Sequence, residues 1–81
     1  MKNDNVTKYR DEFISIGLKI GYIRRQRGMT QEQLAERAGI SPGFLGQIEA
    51  PNIAVGLSLI TLFSIAEVLQ VPPTKLLEFD F

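Results

Sequence analysis

Side chains able to do covalent chemistry are scarce in this chain. Its 81 residues include no cysteine and no histidine, which removes the common nucleophile–base pairs and the usual thiolate and imidazole metal sites. No other acid–base or metal constellation is visible, so the sequence points away from an enzyme, a metal or any cofactor. What remains is the chemistry of cations and amides. Between Lys19 and Gln47 stand five basic residues, Lys19, Arg24, Arg25, Arg27 and Arg37, against two acidic ones, Glu32 and Glu36. Asp4, Asp11, Glu12, Glu78 and Asp80 lie towards the ends, and the formal net charge is +0. A basic centre with acidic flanks can present a positive face to a polyanion even in a neutral protein.

The elements that would hold these groups are clearest in the window Gln31–Ala50, QEQLAERAGISPGFLGQIEA. Thr30 stands as an N-cap, with Gln33 three residues on to complete a capping box. Met29 and Leu34 flank that cap at the spacing of a hydrophobic staple. Leu34, Ala35 and Ala38 then share one face, and Gly39 can take the positive φ that ends a helix. Ser41 caps a second helix with Pro42 in its first turn, and Ile40 with Leu45 repeats the staple. Leu45 and Ile48 face inward, opposite an Ala35 small enough for close approach. Two short helices crossing at a glycine turn form a helix-turn-helix, whose second helix enters the major groove of DNA.

The flanking segments also read as helices. Tyr9, Phe13, Ile16, Ile20 and Ile23 form one apolar stripe, which predicts a first helix from about Val6 to Arg27. Gly17 and Gly21 within it permit close approach by another helix. Ser58 caps a further helix through about Gln70, with Leu59, Leu62, Ile65, Ala66 and Leu69 available for the core. Ile60 and Phe63 have no obvious place inside. Val71-Pro72-Pro73 ends that helix, Leu76 and Leu77 begin a short last one, and Phe79 and Phe81 lie on the tail. A hydrophobic fraction of 44% suits a compact all-α core. No apolar run reaches membrane-spanning length, and MKNDNVTKYRDEF lacks the apolar centre of a signal peptide. The expectation is a cytoplasmic protein, nucleoid-associated when bound to DNA, with no membrane partner.

On these residues the stretch Ile16–Leu77 resembles the phage-repressor and Cro-like helix-turn-helix regulators, the xenobiotic-response-element family. IGLKIGYIRRQRGMTQEQLAERAGIS is similar to its first two helices and turn, LGQIE to the end of its recognition helix, and SLITLFSIAEVLQVPPTKLL to its last two helices. The resemblance implies an all-α, compact five-helix lambda-repressor-like DNA-binding domain, here with an extended first helix. Residues 1–15 would be the extension, 16–77 the domain with its helix-turn-helix at 31–50, and 78–81 an apolar tail. It also implies a transcriptional regulator, commonly dimeric, with double-stranded DNA as partner.

Carried over position by position, the resemblance places base contacts at Pro42, Gly43 and Gln47. Gln47 can pair bidentately with adenine N6 and N7. Pro42 and Gly43 offer only apolar contact to a thymine methyl or close backbone approach. Backbone contacts map to Gln31 at the start of the second helix, with Thr30 assisting and Phe44 close by. Lys19, Arg25, Arg27 and Arg37 are further candidates. The loop after the recognition helix departs from the family, which commonly places basic residues there. No lysine or arginine lies between Glu49 and Lys75, so Asn52 and backbone N–H groups are left for phosphate. Arg24 and Glu49 match a family pair that forms a mostly buried, structural salt bridge. Reading two half-sites about 34 Å apart requires a two-fold dimer, and Ile60, Phe63, Phe79 and Phe81 are the candidates for its interface. The alternative is a protein-interaction module on the same fold, an antitoxin or an antagonist of another regulator, with weak DNA binding.

Overall fold

The computed structural model describes residues 5–80, and Asp4 and Phe81 lie outside them. Six helices occur among the described residues: α1 (Asn5–Lys8), α2 (Arg10–Gln26), α3 (Gln31–Ala38), α4 (Pro42–Glu49), α5 (Leu59–Leu69) and α6 (Pro73–Leu76). Helix α2 packs against α4, α5 and α6, while α3 packs against α4 and α5. No helix among the described residues is long and apolar enough to cross a membrane.

Each terminus of the central helices is closed by a local device. The N–H of Gln33 donates to Thr30 Oγ1 at 3.0 Å, and the N–H of Thr30 donates to Gln33 Oε1 at 2.9 Å, a complete capping box. Gly39 ends α3 at φ 77°. Ser41 and Ser58 accept from the N–H groups of Phe44 and Thr61, satisfying donors that a helix start leaves unpaired. At the end of α5 the left-handed position falls to a non-glycine, Gln70, at φ 61°. The open carbonyl of Leu69 there receives Arg27 Nε at 2.8 Å.

The core is built from the predicted faces. Ile16, Ile20 and Ile23 of α2 meet Leu34, Ala35 and Ala38 of α3, Leu45 and Ile48 of α4, Leu62, Ile65, Ala66 and Leu69 of α5, and Leu76 of α6. At Gly17 the helices α2 and α4 meet backbone to backbone: an added Cβ would stand 1.7 Å from the carbonyl oxygen of Ile48. Only hydrogen fits there, so α2 can lie directly on α4 and fix its direction.

Two expectations about these helices are corrected. The first helix is not continuous from Val6 to Arg27: Tyr9, at φ −110° and ψ 36°, interrupts it. The first helix of a five-helix fold is therefore divided into α1 and α2, and Tyr9 is exposed instead of extending the core stripe. The turn carries Val6 onto the loop after α4, where its Cγ2 lies 3.0 Å from the position a Cβ would take on Gly56. Leu59 is the second correction. It stands in the first turn of α5 and is 64% exposed, outside the core.

Candidate nucleic-acid interface

The recognition helix α4 is held from behind and open in front. Leu45 and Ile48 are buried, and Phe44 is half-buried against the core. Pro42, Gly43 and Gln47 are exposed. Gly43 and Gln47 are one turn apart and share a face, so the open surface of α4 consists of one amide side chain above bare backbone. A Cβ on Gly43 would meet nothing within 4 Å.

Behind α4, side chains from α2 and α3 converge on its one carboxylate, Glu49. Arg24 of α2 donates from Nε to Glu49 Oε2 at 2.9 Å and from Nη2 to Oε1 at 3.0 Å. Its Nη1 donates to the carbonyl of Met29 at 2.8 Å. Gln31, the first residue of α3, donates from Nε2 to Glu49 Oε1 at 3.0 Å. The ion-pair side chains are 10% and 6% exposed. A planar guanidinium forked onto a carboxylate, with a third bond to a carbonyl, sets both distance and orientation. The cluster thus ties the start of α3 and the end of α4 to α2. It also changes what Gln31 has to offer, because its amide points at Glu49 and its outward donor is the helix-terminal N–H.

The remaining candidates divide into two groups. Arg25 and Arg37 are exposed, as is Thr30, whose hydroxyl accepts within the capping box and keeps its own proton to donate. Arg27 is occupied at Leu69, and Lys19 donates to Ser15 Oγ at 2.9 Å with its ammonium 5.5 Å from the Phe79 ring centroid. These two cations therefore have work within the domain. Asn52 is exposed, and its carbonyl accepts from Arg10 Nη2 at 3.4 Å.

Ile60 and Phe63 are 78% and 50% exposed on α5, next to the exposed Leu59. Phe79 is placed against α2 through Lys19. Arg10 was not among the candidates read from the sequence, and the tie of Arg27 to α5 was not foreseen. Both act across 42 residues of chain, and no local pattern signals such a contact.

Capped short helices at a left-handed glycine turn, with the second helix open to solvent, define a DNA-binding helix-turn-helix protein. A family model described as Helix-turn-helix matches residues 20–76, and the chain belongs to that family, of the XRE or Cro-like type. It is a DNA-binding transcriptional regulator and not an enzyme. Among solved structures, the restriction-modification controller protein C.AhdI from Aeromonas hydrophila matches with a TM-score of 0.75 and 24% sequence identity. The match covers 82% of this chain and 97% of that one, and the likeness is one of fold. None of the curated proteins matches this chain.

Proposed function

We propose that the chain acts as a homodimer that reads a palindromic operator through the exposed face of α4. The observation that carries this reading is the exposed Gly43–Gln47 face on a helix locked from behind by Arg24 and Glu49. Gln47 supplies the hydrogen-bonded base contact, while Pro42 and Gly43 allow the backbone close to the groove floor. Thr30, the N–H of Gln31, Arg25, Arg37 and Asn52 hold the phosphates, with Phe44 packed beneath. The first test is binding to a duplex taken from upstream of the chain's own reading frame, beside a shuffled duplex. Affinity confined to the first duplex and falling with salt is the expected result, and equal weak binding to both would refute operator recognition.

Gln47→Ala should weaken operator binding by about 1–3 kcal/mol per half-site and relax preference at one base pair. Because Gln47 is exposed, its melting temperature should be unchanged. A lowered melting temperature would reassign the residue to the fold.

The dimer is assigned to the apolar strip of α5. Leu59, Ile60 and Phe63 lie at helical spacing, and water covers most of the first two. Ile60→Glu should leave the monomer folded and weaken the dimer by about 2 kcal/mol or more, roughly thirtyfold. Sedimentation velocity reads this directly, and an unchanged dimer would move the interface elsewhere, to Phe79 and the tail. The same strip would serve a protein-interaction module. Neighbouring genes separate the two readings: a restriction-modification pair, the system that C.AhdI controls by its name, favours the regulator, and a toxin-like frame favours the module.

A further inference from the structure

The loop that follows the recognition helix has no cation of its own, yet one stands at its surface. Between Glu49 and Lys75 the chain has neither lysine nor arginine. Arg10, at the start of α2, reaches this loop and donates from Nη2 to the carbonyl of Asn52, three residues beyond α4. The contact is solvent-exposed, and Arg10 has no carboxylate partner among the described residues. Four residues earlier, Val6 packs against Gly56 of the same loop, its Cγ2 3.0 Å from where a Cβ on that glycine would stand. The N-terminal segment is therefore docked on the loop at two points, and the turn at Tyr9 is what brings it there.

We infer that Arg10 is a DNA-phosphate contact, supplied from the N-terminal segment to a loop that lacks one. The inference rests on α4 entering the major groove as proposed above. In that orientation the loop leaving α4 runs beside a phosphate strand. One N–H of the guanidinium orients it against Asn52, and the others face solvent, where a phosphate oxygen can accept from two at once. The use of the other cations agrees. Arg24 is buried and engaged with Glu49 and Met29, whereas Arg10, Arg25, Arg27 and Arg37 are exposed. Arg10, like Arg27, uses one N–H on a backbone carbonyl and keeps the others for an anion.

The test is fluorescence anisotropy of the full chain with the upstream duplex and the shuffled duplex across a salt series, using Arg10→Gln and Arg10→Lys. Glutamine keeps a polar amide on a flexible stem but carries no charge. Arg10→Gln should flatten the plot of log affinity against log salt by about one unit. Affinity at 0.1 M salt should fall about eightfold on both duplexes alike. Arg10→Lys should restore the slope, and the melting temperature should not move for either variant. An unchanged slope and affinity in Arg10→Gln would overturn the inference and leave Arg10 as a tie between segment and loop. Wild-type protein that binds neither duplex would instead overturn the operator reading, a separate outcome visible before any variant is made.

Discussion

Replacing Gly17 with alanine should destabilise the domain by about 3 kcal/mol or more, a fall in Tm of roughly 12–24 °C for a domain of this size. The sign is the informative part. In an exposed helix interior the same change stabilises by about 1 kcal/mol, since alanine is the better helix former. Here the new methyl would stand 1.7 Å from the carbonyl oxygen of Ile48, and backbone cannot turn aside as a side chain can. Helices α2 and α4 must separate, opening the core around Ile20, Leu45 and Ile48 and tilting the recognition helix. One turn on, Gly21→Ala meets the Glu49 carboxylate at 3.2 Å and Arg25 Nη1 at 3.3 Å. Those are side-chain atoms at larger separations rather than overlapping backbone, so its loss should be smaller. Thermal melting followed by circular dichroism ranks the two, and a Gly17→Ala protein that melts higher than wild type would refute the packing described.

Glu49→Ala should cost about 3–5 kcal/mol in urea denaturation, because it strands a buried guanidinium. Arg24 would keep only its bond to the Met29 carbonyl, and Gln31 would lose its acceptor. An exposed ion pair would contribute at most about 1 kcal/mol, so the measured size distinguishes a buried lock from surface decoration. The partner replacement sharpens the test. Arg24→Met combined with Glu49→Leu removes both charges together and should recover most of the stability. If the double variant is no better than Glu49→Ala, the pair is holding geometry that apolar packing cannot supply.

What could be read in the residues themselves was governed by contacts within four positions. The capping box at Thr30, the left-handed Gly39, the serine caps and the inward faces of α3 and α4 are all of this kind. Their physics is complete inside one turn of helix. The break at Tyr9 was hidden because VTKYRDEF contains neither glycine nor proline, and the contact of Val6 with the loop that accompanies it spans some fifty residues of chain. Leu59 was assigned inward because its spacing from Leu62 and Ala66 allows it, but a first-turn position can equally well point outward. At the candidate interface, the open face of α4 was legible from its caps and inward residues. The inward turn of the Gln31 amide, the use of Arg27 at Leu69 and the reach of Arg10 to Asn52 were not. Each joins residues at least 18 apart in the chain, where three-dimensional proximity has no local signature.

The empty space in front of Gly43 has a consequence for how such a regulator diverges. Stability constrains Gly17 and Glu49, whereas a side chain placed at Gly43 would meet no neighbour and would gain helix propensity in doing so. A single codon change there could add a new letter to the recognised sequence without cost to the scaffold. On the reading proposed for α4, a change of target at this position leaves untouched the packing that holds the helix.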